Sequence, residues 1–236
     1  MKPIVFIISY NRPIYLWVTL DSLYRKSSKD CRFIIIDNAS TDSSIKDVIC
    51  AFERRGMFYK SYMMPDNKRS NFIDVIKRHL HELGDYHYFV ESDVEVLTQN
   101  WDKLMLKYFN SDNYGFLGSA IDKRDFVNLG DLNENNNKTR FLIKAASPER
   151  KYALDGHGIS DVQPAGRITI RKSNIIQQSL DRVDLIYNDS SLNRLSRQLG
   201  FKTGIVKEVK HRHLSLLNYF DYHNYDPTAR NTFFKN

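Results

Sequence analysis

The 236-residue sequence is poor in cysteine, proline and glycine: two, six and ten residues respectively. Two cysteines, Cys31 and Cys50, cannot build a disulfide framework, and a reducing cytoplasm is the expected setting. The scarcity of glycine and proline excludes collagen-like and linker-rich chains. No apolar run approaches the ~18 residues of a membrane helix. The N-terminus, MKPIVFIISYNRP, has no small-residue cleavage site and reads as a first β-strand rather than a signal peptide. There is no GxGxxG after that strand and no GxxxxGK[ST] anywhere, which removes the main support for a Rossmann dinucleotide site or a P-loop. What remains is an ordinary globular composition, 42% hydrophobic and 27% charged, with a net charge of +7. The excess of positive charge favours anionic partners, whether nucleotides, nucleic acids or a membrane surface.

Apolar runs at Ile4–Ile8, Phe33–Ile36, Tyr86–Val90 and Tyr114–Leu117 lack period-two alternation, as expected of strands covered on both faces of a parallel sheet. Met57–Met63 is a weaker strand. Between the runs lie helical stripes: Ile45, Val48, Ile49, Phe52; Trp101, Leu104, Met105, Tyr108; Phe72, Ile76, Leu80, Leu83; and a fourth starting with Ile14, Trp17, Leu20. Strand–helix–strand repetition predicts an α/β fold with a mostly parallel sheet flanked by helices and right-handed crossovers. After about residue 120 the pattern becomes mixed. Asp131–Lys138 reads as a polar loop, Gln163–Arg171 as a half-exposed strand, and Leu192, Leu195 and Leu199 as a helix stopped by Gly200. The tail from Leu214 is rich in aromatics, whose expected place is against the domain.

Ligands of an open parallel sheet bind at the carboxyl ends of its strands. Those ends carry Ser9-Tyr10-Asn11-Arg12-Pro13, Asp37-Asn38-Ala39-Ser40-Thr41-Asp42 and Glu91-Ser92-Asp93-Val94-Glu95. Without a glycine-rich phosphate loop, a phosphate ligand needs another counter-charge. Glu91 and Asp93 form an acid-x-acid pair whose oxygens suit Mg²⁺ or Mn²⁺. Asp42 reads as a helix cap. His79, His81 and His87 read as surface residues.

SYNRPIYL, IIIDNASTD and FVESDVEV, in this order and spacing, resemble family 2 glycosyltransferases of the GT-A fold. The resemblance implies one GT-A-like domain: a nucleotide-sugar half over 1–120, an acceptor and catalytic half over 121–213, and an aromatic tail over 214–236. It implies that Ser9, Tyr10 and Asp37 hold the nucleobase, with Asn11, Arg12, Asn67, Arg69 or Lys68, Glu91 and Ser92 on the rest of the donor. Asp93 becomes the main ligand of Mn²⁺ or Mg²⁺. Glu91, where the family usually has Asp, then lies nearer the ribose or joins through water. NDSSLNRLSRQLG resembles the family's helix start bearing the general base, which falls on Asp189, although capping is its bland reading. His213 matches a metal-binding His, with His211 a close competitor.

The implied activity is inverting transfer of a sugar from a nucleotide-sugar, a UDP-sugar by preference, to an acceptor hydroxyl. The metal stabilises the diphosphate leaving group and Asp189 takes the acceptor's proton. Arg167, Arg171 or Lys172 would assist the diphosphate or contact an anionic acceptor. A saccharide or glycolipid precursor is the expected acceptor, with work in the cytoplasm or at a membrane surface. Modified DNA bases are the alternative acceptor. A nucleotidyltransferase and a non-catalytic nucleic-acid-binding protein are alternatives of other classes. The first lacks its usual glycine-rich basic loop, and the second leaves Asp37, Glu91 and Asp93 unexplained.

Overall fold

A computed structural model describes residues 1–68, 70–122, 156–164, 167–180 and 189–214. The elements run β1 (Ile4–Ser9), α1 (Pro13–Lys26), β2 (Arg32–Asp37), α2 (Ser44–Arg54), β3 (Phe58–Met63), α3 (Ser70–Arg78), a 3₁₀ turn (Leu80–Glu82), β4 (Tyr86–Glu91), β5 (Val94–Val96), α4 (Trp101–Phe109), β6 (Tyr114–Ile121), β7 (Ile159–Ser160), β8 (Ile168–Lys172), α5 (Ser173–Ser179), α6 (Asp189–Gln198) and β9 (Lys202–His213). They form one sheet in the order β3-β2-β1-β4-β8-β6-β9-β5, with β7 on β9. β3, β2, β1 and β4 are parallel, while β8 enters antiparallel between β4 and β6.

The apolar runs fail to alternate because both sheet faces are covered. Val5, Ile7, Phe33 and Ile35 pack with Leu16, Leu20, Ile49, Phe52, Trp101 and Met105 of α1, α2 and α4. Ile4, Phe6, Ile8, Ile34 and Ile36 pack on the other face with Phe72, Ile73 and Ile76 of α3 and Ile176 of α5. Phe116, Ile175 and Leu192 seat α6 beside β6. Here Gly115 permits a close approach. A Cβ at this position would stand 2.7 Å from Phe201 Cβ and 2.8 Å from Ile175 Cδ1, and would also press on Ser196.

Several expectations change. The strand expected over Gln163–Arg171 is shorter and is not half-exposed. Thr169 and Arg171 are buried, because β8 is an interior strand with β4 on one side and β6 on the other. The stripe Ile14, Trp17, Leu20 is not the buried face of α1. Ile14 and Trp17 are 45% and 40% exposed, and Tyr15, Leu16, Leu20 and Leu23 face the core. The third stripe is split: α3 stops at Arg78 and Leu80 falls in the 3₁₀ turn. His79 and His87 are buried rather than on the surface. His79 bridges Tyr62 and Glu82 by its two ring nitrogens, at 2.8 Å each, and His87 points between β1 and α5, with Ser173 Oγ 3.3 Å from its Nδ1. Gly200, with φ +82°, follows α6 as expected. The Asp131–Lys138 loop and the tail beyond Leu214 lie outside the described residues.

Candidate active site

The three polar strand ends meet on one edge. Ser9 is in register with Asp37, and Ile8 with Glu91, so β2, β1 and β4 present their carboxyl ends side by side. Asp37 receives the Ser40 hydroxyl and, at 3.0 Å, the Ser40 backbone N–H. Burial raises its pKa, and both Ser40 hydrogen bonds oppose the rise. The loop after β1 is locked to the loop after β2: Asn11 N–H donates to Ser40 Oγ at 2.7 Å, and Asn11 Oδ1 accepts from Thr41 and Asp42 N–H at 2.9 and 3.1 Å. Asn11 and Arg12 both adopt left-handed backbone, φ +53° and +60°, immediately before Pro13 opens α1. Asn tolerates this conformation through its short polar side chain; Arg12 has no such compensation, and the turn delivers its guanidinium to Asp93 at 3.3 Å. Asp42 Oδ1 accepts Ser44 N–H at 2.9 Å at the mouth of α2, which is the capping role.

An amide ladder frames the other flank. Asn38 Nδ2 donates to Asn67 Oδ1, and Asn71 Nδ2 donates to Asn38 Oδ1 at 2.7 Å. Lys68 is exposed and paired with Asp66. Arg69 lies outside the described residues. Ser9 is fully covered, and its hydroxyl has no hydrogen-bond partner among the described residues.

Glu91 ends β4, Ser92 is buried in the turn, and Asp93 precedes β5. β5 pairs antiparallel with the end of β9, Val94 opposite His213, and Leu214 N–H donates to Asp93 O at 2.8 Å. This pairing brings His213 Nε2 to 3.3 Å from Asp93 Oδ2. Ligand atoms of Glu91, Asp93 and His213 all lie within 4.8 Å of one another. His211, the competitor, sits deeper, with Ser119 Oγ 2.8 Å from its Nδ1. Burial, aided by Arg167, depresses the pKa of His213 to about 4, so the imidazole is neutral and has the form that binds metals. Burial lifts Glu91 above the ordinary carboxylate range; Arg167, paired with it, opposes the rise, and Asp93 and Asp189 add to it. Two carboxylates and a neutral imidazole are a donor set that fits a divalent cation of the Mn²⁺ type.

Asp189 opens α6, its carbonyl accepting Asn193 Nδ2 at 2.8 Å. Its carboxylate is near enough to raise Glu91 and lies 3.8 Å from Arg171. The edge therefore carries Glu91, Asp93 and Asp189 interleaved with Arg12, Arg167 and Arg171. The pairing of these arginines with particular acids is not visible in the sequence. Neither is the Ser40 hydroxyl on Asp37, although the Asp37-x-x-Ser40 spacing of a side-chain-capped turn was open to inspection.

The glycosyl transferase family 2 model matches residues 4–175. No match exists among curated proteins. Among solved structures, the Pyrobaculum calidifontis mannosyltransferase PcManGT, in complex with GDP-Man and Mn²⁺, is similar with a TM-score of 0.64 at 14% identity, over 95% of this chain and 59% of that one. GalNAc-T7 with UDP, GalNAc and Mn²⁺ gives 0.61 at 13% identity, over 90% of this chain and 44% of that one. S. aureus TarS 1–349 in complex with UDP gives 0.57 at 12%, over 89% and 59%. The chain thus spans 44–59% of the length of these structures, and at such identities the likeness is one of fold. With more than half of its length matched by the family model, and with a curled, mostly parallel sheet shared with these GT-A enzymes, the chain belongs to glycosyl transferase family 2.

Proposed function

We propose that the protein is a metal-dependent, inverting glycosyltransferase that moves a sugar from a UDP-sugar to a hydroxyl of a saccharide or glycolipid precursor. The observation that carries this reading is the cluster of Glu91, Asp93 and His213 within 4.8 Å, with Asp189 beside Glu91. Family membership makes the chain a glycosyltransferase, which sets aside the nucleotidyltransferase and the non-catalytic alternatives.

In this reading residues 1–120 form the nucleotide-sugar half and residues 121–213 the acceptor and catalytic half. Asp37 and Tyr10 recognise the base, a carboxylate matching the N–H edge of uracil. Asp37 and Glu91 stand two strand spacings apart, about 10 Å, a separation that suits a base at one end and a diphosphate at the other. Ser9, Asn11 and Ser92 shape the ribose and phosphate path between them, with Asn67 beyond Asp37 on the β3 side. Asp93 and His213, with Glu91, would hold Mn²⁺, as Mn²⁺ accompanies GDP-Man in one of the similar structures and UDP with GalNAc in another. The ion would supply positive charge to the departing diphosphate. Arg12 and Arg167, already aimed at this rim, add fixed positive charge of the kind that stabilises a leaving anion. Asp189 accepts the acceptor hydroxyl's proton as that oxygen attacks the anomeric carbon, and the sugar passes in one displacement with inverted configuration.

Thermal shift tests the reading. A ligand that binds only the folded chain raises Tm, so UDP with Mn²⁺ should raise it by several degrees. UDP alone should raise it much less, and Asp93→Asn should abolish the metal-dependent part. An equal UDP shift in Asp93→Asn would remove the metal from the reading. Among UDP- and GDP-sugars, the largest shift names the donor.

A further inference from the structure

Arg171 stood among the residues expected to touch a diphosphate, and its surroundings do not allow that. It is 2% exposed. On β8 it lies opposite His87 of β4 and Phe116 of β6. Its guanidinium carbon is 4.6 Å from the Phe89 ring centre and 5.0 Å from that of Phe116, so two aromatic rings flank the cation. Its Nε donates to Thr169 Oγ1 at 2.9 Å. The flat group is therefore fixed in position and in orientation.

A buried guanidinium is costly unless its charge is matched. Ring faces offset part of that cost. Among the described residues, the only carboxylate within ion-pair distance is Asp189, at 3.8 Å from Nη2. That distance is too long for a hydrogen bond, yet close enough for strong attraction in a low-dielectric setting. Burial lowers the Arg171 pKa to about 10, with Asp189 and then Glu91 opposing the drop; the side chain remains a cation at neutral pH. The Asp189 side chain is 31% exposed, open to an acceptor where Arg171 is closed.

We propose that Arg171 is a positioning residue for the general base: a rigid, ring-flanked cation that holds the Asp189 carboxylate in place at the start of α6 without itself meeting donor or acceptor. The proposal rests on the reading of Asp189 as the base. It explains why a cation, and not an apolar side chain, occupies an interior strand of this sheet. A misplacement of about 1 Å in a reacting group can cost about 100-fold in rate.

The test uses the full chain with Mn²⁺, and follows nucleotide release from UDP-glucose, UDP-GlcNAc, UDP-galactose and GDP-mannose as water takes the sugar and gives its proton to the base, with calorimetry of UDP binding. Arg171→Met is expected to lower kcat about 100-fold while donor KM and UDP affinity stay within about twofold, the signature of an interaction that acts only on turnover. Arg171→Lys should recover much of kcat. Asp189→Asn with Arg171→Met should be no slower than Asp189→Asn alone. A tenfold loss of UDP affinity in Arg171→Met would return Arg171 to the diphosphate. Unchanged kcat with a lower Tm would make it a packing residue only. If Asp189→Asn alone keeps full turnover, the base assignment fails, and the failure is then not Arg171's own. A second measurement needs neither donor nor turnover. In urea unfolding, the destabilisation by Arg171→Lys should shrink in the Asp189→Asn background, and strict additivity would overturn the pairing. Should Arg171→Met not fold, Thr169→Val, which removes the Nε acceptor, is expected to lower kcat with unchanged UDP affinity; unchanged kcat there counts against the proposal.

Discussion

At the scale of single residues, the acids were legible and their partners were not. Asp37, Glu91 and Asp93 announce themselves as carboxylates that end apolar strands. Arg167, just ahead of β8, reaches Glu91 across 76 positions, and Arg171 of β8 meets Asp189 at the start of α6; no local spacing encodes such meetings. His213 is told from His211 only by the β5–β9 pairing. His87 shows the reverse error. A histidine beside tyrosines looks solvent-facing in sequence, yet it is 1% exposed and burial, with Arg171 near, depresses its pKa to about 3. The unfolded chain then binds a proton that the native chain refuses once the pH falls below the unfolded value of about 6.5. The stability due to the neutral ring is therefore complete above 6.5 and is lost progressively between 6.5 and 3. The loss from pH 7 to pH 5 is about 2 kcal/mol. Urea unfolding at these two pH values should show it, and His87→Phe should reduce the difference by about that amount, with His211 and His213, depressed likewise by burial, keeping a share of their own; an unchanged difference would assign the acid sensitivity elsewhere.

At the scale of elements, β1, β2 and β4 follow directly from their patterns, because a strand buried on both faces has little freedom to read otherwise, and α2 and α4 follow from theirs, whereas the face of α1 and the length of α3 do not. The second half resisted. The stretch from Arg167 into β8, Ile168, Thr169, Ile170 and Arg171, alternates like a strand with one wet face, but Thr169 and Arg171 serve the interior, as their hydrogen bond shows. Local alternation reports polarity and says nothing of what the polar side meets. The seat of α6 depends on Gly115, the smallest residue where β6 runs under Ser196 and Phe201. Gly115→Ala would push α6, and Asp189 at its start, off the sheet. Overpacking of this kind costs about 1–3 kcal/mol. The expected result is a lower urea midpoint together with a fall in kcat. Gly56→Ala is the contrast. Space is open at that position, but φ is +69°, so it should be strained locally and leave kcat alone.

At the scale of the whole molecule, the +7 charge is not evenly directed at the ligand edge, where three arginines face at least as many carboxylates. Much of the excess therefore lies elsewhere on the chain. With a saccharide as acceptor, DNA should be retarded only weakly in gels, and that weak binding should vanish with modest salt. Tight retardation that survives physiological salt would favour DNA instead. Among the described residues no helix is long and apolar enough to cross a membrane. The longest strand links distant parts. β9 begins beside Tyr114, takes three residues more than β6 between Val206 and Lys210, and ends beside Val94. Side chains on a strand swap faces with each residue. Removing one of the three surplus residues, Lys207, Glu208 or Val209, therefore turns the His213 imidazole away from Asp93 and brings a neighbour's side chain in its stead. The surplus is the vernier by which the far end of β9 is brought into phase with Asp93.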